Sequence, residues 1–138
     1  MLGVHYQGYD IVPDLVSDLR SRFPGKSFDL LDATEQIPQK ADLILCRDLF
    51  VHLTTDQIHR ALRNFESSGS KYLLATTFID LSVNAELVVP RLGVGWRPLN
   101  LAIEPFNLGE PIECINEDTD EGGGRYRDKA LGLWKIGN

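Results

Sequence analysis

The amino-acid sequence predicts an α/β fold with a mostly parallel sheet and an antiparallel hairpin at its C-terminal end. Short strand-like segments alternate with segments of helical periodicity, which is the pattern of β-α-β units. One of the strands, ADLILC at residues 41–46, is apolar without interruption, as expected of a parallel strand covered on both faces. Near the end of the chain two strand-like segments flank TDEGGGRYRD, a turn-forming stretch that predicts the hairpin.

The first third of the chain predicts a strand, a helix and a second strand. VHYQGYD at residues 4–10 is strand-like, and Pro13 suits the first turn of a helix. SFDLLDAT at residues 27–34 then predicts the next strand. The apolar face of the predicted helix consists of residues at helical spacing: Leu15, Val16, Leu19 and Phe23.

The helix that the sequence predicts most clearly lies in the middle of the chain. Thr54 and Gln57 match the capping box that begins helices, and Gly69 lies where a helix C-terminus is expected. Its apolar positions follow helical spacing: Ile58, Leu62 and Phe65. KYLLATTF at residues 71–78 predicts the strand that follows, so the order of elements is β-α-β-β-α-β.

The last part of the chain predicts an irregular stretch and then the hairpin. Residues 79–110 contain Pro90 and further prolines and glycines, and a loop of this length in a compact domain is typically functional or mobile. The hairpin strands are PIECINED at residues 111–118 and KALGLWKI at residues 129–136, and we expect them at the edge of the sheet.

The length, net charge, hydropathy and cysteine content of the chain exclude several classes of function. The 138 residues predict a single domain, and the net charge of −6 argues against a nucleic-acid surface. No apolar run approaches the roughly 18 residues of a membrane span, so we expect no membrane contact and a cytoplasmic protein. Cys46 and Cys114 lie in apolar contexts and are expected to be buried in a reducing compartment. No Cys or His cluster predicts a metal site.

The order of elements resembles the class I S-adenosylmethionine-dependent methyltransferases over nearly the whole chain. YQGYDIVPDLV looks like that family's second strand with its terminal acid and following helix, and DLLDAT like its third strand. ADLILCRDLFVHLTTDQIHRALRNFESSGSKYLLATTF looks like its fourth strand, next helix and fifth strand. The resemblance implies a Rossmann-like sheet, S-adenosylmethionine as cofactor and methyl transfer to an acceptor.

The resemblance also implies a nucleoside-binding set of residues. Asp10 would accept hydrogen bonds from the ribose hydroxyls, with Ile11 beside the adenine, and the alternative for Asp10 is a helix cap. Asp32 and Ala33 would meet the adenine amino group, unless Asp32 only forms an Asx turn to Thr34.

Further residues would lie between cofactor and acceptor. Cys46 and Arg47 are assigned to the cofactor side, and Asp48 and His52 are the candidate catalytic bases. Arg47 and Asp48 are alternatively a surface ion pair, and His52 a histidine packed under the following helix. The candidate acceptor-binding residues, with a loop anchor as the alternative, are Trp96 and Arg97.

One part of the family pattern has no counterpart. The family's first strand and its glycine-rich loop are missing, because GVG at residues 93–95 and GGG at residues 122–124 do not lie between a strand and a helix. The sequence therefore reads as an N-terminally truncated member of the family. In the family the absent strand lies between the second and fourth strands, so its loss leaves two inner sheet edges unpaired. We expect those edges to be satisfied in a homodimer.

The sequence thus favours a methyltransferase-like domain that acts on a small-molecule or protein acceptor, with activity in doubt because the glycine-rich loop is absent. The alternative is a non-catalytic remnant or interaction module that dimerises through the vacant sheet edges. A nicotinamide-binding fold is a third interpretation, since it would also use Asp10.

Overall fold

Two parallel β-α-β units form the first part of the computed structural model, which describes residues 3–89 and 91–138. Pro90 of the predicted irregular stretch lies outside the described residues. The elements of the first unit are β1 (Gln7–Asp10), α1 (Pro13–Arg22) and β2 (Ser27–Leu30). Those of the second unit are β3 (Leu43–Cys46), α2 (Thr55–Ser67) and β4 (Tyr72–Phe78), with a short 3₁₀ helix at Phe50–His52 after β3.

The hairpin consists of β5 (Glu113–Asn116) and β6 (Lys129–Lys135). Strand β6 pairs antiparallel with both β4 and β5, so β5 forms the edge and β6 lies inside the sheet. The prediction of an antiparallel C-terminal hairpin is confirmed. The predicted irregular stretch is also confirmed in its described part, because it contains no regular strand or helix.

The strands form two separate sheets. Strands β1 and β2 pair in parallel as one sheet, and the other sheet has the order β3-β4-β6-β5, in which β3 and β4 are parallel. Within residues 3–89 and 91–138, β1 pairs only with β2 and β3 only with β4. Each of these two strands therefore has one edge with unpaired backbone groups. The break lies between β1 and β3, where the sequence resemblance places the absent strand.

Helix α2 builds the core on one face of the larger sheet. The Thr54 hydroxyl accepts from the Gln57 amide while the Gln57 side chain accepts from the Thr54 amide, which confirms the capping box. Ile58 and Phe65 are buried against the sheet, each contributing roughly 1.5–3 kcal/mol. Gly69 ends the helix region with φ of +77°, a conformation that glycine adopts without steric cost.

The opposite face of the larger sheet is uncovered, which corrects the prediction that residues 41–46 are buried on both faces. Leu43 and Leu45 of β3 are 46% and 60% exposed, and Ile115 of β5 is 56% exposed. These side chains share a face by the strand register, since successive residues point to opposite sides. The half-buried leucines of the same face are Leu74, Leu131 and Leu133.

Helix α1 also buries less than its sequence predicts. Val16 is buried, but Leu15 is 40% exposed and Phe23 is the C-terminal cap and 45% exposed. The helix packs mainly on the two-stranded sheet, whose area is too small to cover a full apolar face. Cys114 is exposed on β5, so the expectation that both cysteines are buried holds for Cys46 and is wrong for Cys114.

Candidate functional site

The predicted site residues follow the carboxyl ends of parallel strands. Asp10 ends β1, Asp32 follows β2, and Arg47 and Asp48 follow β3. In open α/β sheets ligands bind at this edge. The antiparallel register places the start of β6, at Lys129, opposite Phe78 at the end of β4. The larger sheet therefore contributes groups from both parallel and antiparallel strands to one edge.

An ion cluster joins β3, β5 and β6 at this edge. The Lys129 ammonium lies 2.8 Å from the Asp48 carboxylate and 3.3 Å from that of Glu117. The Arg47 guanidinium donates to Glu117 at 2.8 Å and lies 3.8 Å from Asp48. The Lys129 and Glu117 side chains are only 9% and 11% exposed, so these charges are held in place rather than freely solvated.

The two cationic members of the cluster have raised pKa values. Burial of the Lys129 ammonium opposes its charge, but the hydrogen bonds and charges of Asp48 and Glu117 outweigh that effect and raise its pKa. The hydrogen bond and charge of Glu117, with Asp48, raise the pKa of Arg47. Both groups are therefore permanent cations at neutral pH.

Asp48 has a left-handed backbone with φ of +57°, which is unusual outside glycine and is tolerated by aspartate. Its amide donates to the buried Thr76 hydroxyl at 2.8 Å. This hydrogen bond and the ion pair to Lys129 fix the carboxylate at the end of β3. Strain of this kind, which costs on the order of 1–3 kcal/mol, concentrates at functional positions.

Asp10 forms a local turn at the end of β1. One of its carboxylate oxygens accepts from the Val12 amide at 3.0 Å. The N-cap of α1 is Val12 and has no side-chain cap, so Asp10 does not cap the helix. The second carboxylate oxygen has no hydrogen-bond partner in the part of the chain that the structure describes. Ile11, next to it, exposes 66% of its surface.

Asp32 forms the Asx turn that the sequence offered as an alternative role. Its Oδ1 accepts from the amide and the hydroxyl of Thr34, at 2.9 and 2.7 Å. The Asp32 amide donates to the Gln36 side chain. Ala33 is half-buried, and its carbonyl accepts from Asn64 of α2 at 2.8 Å. This hydrogen bond ties the loop after β2 to the second unit.

Cys46 points into the core beneath α2. Burial raises the pKa of its thiol to about 12, so the side chain is a neutral, unreactive group at neutral pH. Only the backbone of Cys46 is in a position to contact a ligand at the sheet edge.

His52 lies on the 3₁₀ helix after β3 and is exposed, not packed under α2. Its Nδ1 is 2.8 Å from the Gly95 carbonyl oxygen. A carbonyl only accepts, so Nδ1 carries the proton, and Nε2 of the neutral ring has a free lone pair. This arrangement is the one that a general base requires.

Trp96 and Arg97, predicted together as acceptor-binding residues, have different environments. Trp96 is 41% exposed and packs edge-on against Tyr126 and Phe78. Arg97 is 7% exposed and donates to the carbonyls of Phe50 and Ala85, which anchors its loop to the 3₁₀ helix. Burial lowers the pKa of Arg97, and its Nη2 lies 3.9 Å from the nearest carboxylate.

The predicted residues thus fall into two groups. Arg47, Asp48 and His52 belong to the larger sheet and its loops, whereas Asp10 and Asp32 belong to the two-stranded sheet. No hydrogen bond or ion pair between described residues joins Asp10 or Asp32 to the ion cluster. Lys129 is not among the residues predicted from the sequence, although a lysine that begins the apolar strand KALGLWK is a visible signal for a buried ion pair.

Residues 3–89 and 91–138 contain neither a metal-binding cluster nor a membrane-spanning helix. No group of three or more His, Cys, Asp or Glu side chains is placed to hold a metal ion. None of the described helices combines the length and apolar character that crossing a membrane requires.

Solved structures with a similar fold include several methyltransferases. A S-adenosylmethionine-dependent methyltransferase from Clostridium acetobutylicum aligns with 96% of this chain and 75% of its own, with a TM-score of 0.66 and 13% identity. TehB from Haemophilus influenzae aligns with 97% of this chain and 50% of its own, with a TM-score of 0.61 and 20% identity.

A third similar structure is magnesium protoporphyrin IX methyltransferase from Synechocystis with bound S-adenosylmethionine. It aligns with 94% of this chain and 58% of its own, with a TM-score of 0.63 and 14% identity. The fold is that of the class I S-adenosylmethionine-dependent methyltransferases. The prediction of a Rossmann-like methyltransferase fold is confirmed.

All three sequence identities are below 25%, so what this chain shares with these proteins is the fold. This chain spans half to three quarters of the length of these proteins. No protein-family model matches the sequence, and no curated protein matches it significantly.

Proposed function

We propose that this chain is a S-adenosylmethionine-dependent methyltransferase domain that transfers a methyl group to a nucleophile at the carboxyl edge of its sheets. The observation that carries the proposal is the methyltransferase fold over nearly the whole chain, with acids after β1, β2 and β3 at the ligand-binding edge. A cytoplasmic location is part of this proposal, because Cys46 and Cys114 are both free thiols, as is usual in a reducing compartment.

The residues after β1 and β2 fit the nucleoside part of the cofactor. The free carboxylate oxygen of Asp10 is suited to a ribose hydroxyl, and the exposed Ile11 side chain to the adenine ring. Asp32 has one carboxylate oxygen outside its Asx turn, and the Ala33 amide adjoins it. The methionine part has no counterpart of the glycine-rich loop among residues 3–89 and 91–138, so we expect weaker cofactor binding than in domains that have this loop.

The residues after β3 fit the acceptor side of the reaction. When bound, the sulfonium of the cofactor supplies the methyl group, and its sulfur keeps the electron pair of the broken carbon–sulfur bond. A protic acceptor must lose its proton in this step. His52 Nε2 is the better base, since Asp48 is paired with Lys129. Asp48 then serves to position the loop between β3 and α2.

Isothermal titration calorimetry with S-adenosylmethionine tests this proposal. We expect saturable binding by the unmodified chain, lost on Asp10→Ala because the ribose loses its acceptor. Asp14→Ala, which changes an exposed carboxylate in the first turn of α1, is the matched control and should bind normally. Equal binding by both variants, or none by the unmodified chain, would overturn the proposal. Binding of NAD in place of S-adenosylmethionine would support the nicotinamide interpretation.

A second candidate function is a non-catalytic interaction module. The specific observation in its favour is the pair of unpaired edges at β1 and β3, next to the exposed leucines of β3. Such edges are templates for strand pairing between chains. A homodimer that pairs these edges would satisfy the backbone groups and place a neighbouring strand beside Leu43 and Leu45.

A further inference from the structure

A cavity of about 350 Å³ opens at the carboxyl edge of the larger sheet, beside the ion cluster. Two loops form it: the residues that follow β4 and those that precede β6. Its volume falls within the roughly 300–1,000 Å³ of small-ligand sites. No residue of this cavity is among the predicted site residues, although Trp96 packs against its wall.

The cavity has an aromatic wall. The Tyr126 ring centroid lies 5.0 Å from that of Trp96 and 5.9 Å from that of Phe78, both in edge-to-face geometry. Phe78 is buried and Trp96 is 41% exposed, so the trio runs from the core to the surface. A wall of this kind favours a planar, unsaturated ligand, because rings pack edge-to-face or offset-stacked on one another.

The lining also contains two arginines and two aspartates. The Arg125 guanidinium stacks over Tyr126 and its Nε donates to the Gly122 carbonyl. Neither Arg125 nor Arg127 has a carboxylate within ion-pair distance among the described residues, although Asp80 and Asp128 line the same cavity. The lining of the cavity therefore offers both cationic donors and carboxylate acceptors.

The three consecutive glycines hold this lining in place. Gly122, Gly123 and Gly124 all have positive φ, at +65°, +68° and +89°. A Cβ on Gly122 would lie 2.7 Å from the Tyr126 ring, and one on Gly124 would lie 3.0 Å from the Arg127 guanidinium. The glycines therefore allow the loop to bring Tyr126 and Arg127 against the cavity, which is a more specific role than turn flexibility.

We propose that this cavity binds the methyl acceptor and that the acceptor is a hydroxylated aromatic carboxylate. The ring packs on Tyr126, the carboxylate binds Arg125 and Arg127, and the hydroxyl donates to Asp80 or Asp128. The identification of this ligand as the acceptor rests on the methyltransferase proposal. The binding site itself rests on the cavity, the aromatic wall and two guanidinium groups that form no ion pair with a carboxylate of the described residues.

Fluorescence titration of the chain without cofactor tests the site. The fluorescence of Trp96 reports on the cavity because its ring packs against Tyr126. The variant Trp96→Phe separates the fluorescence of Trp96 from that of the buried Trp134. The probes are para-hydroxybenzoate, para-hydroxybenzamide and cyclohexanecarboxylate. We expect saturation by para-hydroxybenzoate with a dissociation constant on the order of 1 mM or tighter. The neutral amide and the non-aromatic acid should each bind at least about fivefold more weakly.

Charge variants make the test specific. The double variant Arg125→Gln with Arg127→Gln should lose about tenfold in affinity for para-hydroxybenzoate, because the carboxylate loses its cationic partners. Arg63→Gln, which removes an exposed arginine of α2, is the matched control and should bind normally. Circular dichroism confirms that each variant is folded, and calorimetry repeats the measurement without a fluorescent reporter.

The outcomes separate this proposal from the methyltransferase proposal. Saturable binding of para-hydroxybenzoate without any S-adenosylmethionine binding would keep the cavity site and overturn its assignment to a methyl acceptor. Absence of para-hydroxybenzoate saturation up to about 20 mM would overturn the site, even where S-adenosylmethionine binds. Equal affinities for all three probes would also overturn it.

Discussion

Lys129, the first residue of β6, forms an ion pair with Asp48, which follows β3, at 2.8 Å between the ammonium nitrogen and Oδ1. Strand β4 lies between β3 and β6 in the sheet, so the contact passes across the carboxyl end of β4. The Asp48 amide also donates a hydrogen bond to the Thr76 hydroxyl, and the two contacts together fix the loop that leads to His52. The ion pair therefore links the hairpin to the loop that carries His52, the candidate base.

Replacement of Lys129 by methionine tests the stabilising effect of this contact. Lys129→Met keeps most of the side-chain volume and leaves the nearly buried Glu117 without its ammonium partner. We expect a loss of about 1–3 kcal/mol in the free energy of unfolding, because Glu117 and Asp48 each lose one of the two cations that compensate their charge, and only Arg47 remains. Urea unfolding measures the change. Lys135→Met, on the exposed end of the same strand, should change stability by less than about 0.5 kcal/mol, and equal effects would contradict the prediction.

The same ion pair predicts a loss of stability at alkaline pH. The pKa of Lys129 is raised in the folded chain above its ordinary value of 10.5. Its contribution is therefore fully present below pH 10.5 and declines as the pH rises through the folded-state value. The melting temperatures of the unmodified chain and Lys129→Met should converge at alkaline pH. A constant difference from pH 7 through the alkaline range would show that the ammonium charge is not the cause.

Thiol reactivity should distinguish the two cysteines. With its pKa near 12, the Cys46 thiol has about one ten-thousandth of its molecules in the reactive thiolate form at about pH 8, and the core also blocks access. Cys114 is exposed, although partial burial and then Glu110 raise its pKa, so it should react more slowly than an unfolded cysteine.

A chromogenic disulfide reagent at about pH 8 measures this difference. We expect one thiol per native chain to react, and both in denaturant at a common rate. Cys114→Ser should abolish the native reaction and serves as the control for its assignment. Two thiols that react at similar rates in the native chain would show that Cys46 is accessible from the sheet edge.

The sequence was most informative where neighbouring residues determine structure. The capping box at Thr54 and the spacing of Ile58 and Phe65 depend only on α2 itself, and the structure confirms them. The strand order could be anticipated because the elements resemble a known sheet. By contrast, the contact between Lys129 and Asp48 joins residues far apart in the chain and carries no local pattern.

Burial was predicted less well, because it depends on what packs against each element. Residues 41–46 have the composition of a strand that is buried on both faces of the sheet. Leu45 is nevertheless 60% exposed, because no helix of the described chain packs on its face. Phe23 and Cys114 are exposed for the same reason, on a helix beside a two-stranded sheet and on an edge strand. Their apolar character was visible in the sequence, but their partners were not.

The exposed face of β3 predicts the association state of the chain. If two copies pair their vacant β3 edges, residues of the two β3 strands become cross-strand neighbours on one face of the joined sheet. Leu45→Lys should therefore weaken the dimer, since a lysine on an edge strand opposes edge-to-edge pairing and brings like charges near each other. Light scattering after size-exclusion chromatography, over a range of protein concentrations, measures the mass of each species.

The control for this prediction is Leu92→Lys, which places the same charge on a loop residue that is already 88% exposed. It should leave the dimer unchanged, because Leu92 belongs to the irregular stretch between β4 and β5 and to neither of the unpaired strands. A monomeric unmodified chain at all concentrations would exclude the homodimer. A dimer that persists in Leu45→Lys would place the interface away from β3, and the unpaired edge would then have to be satisfied by water rather than by a second chain.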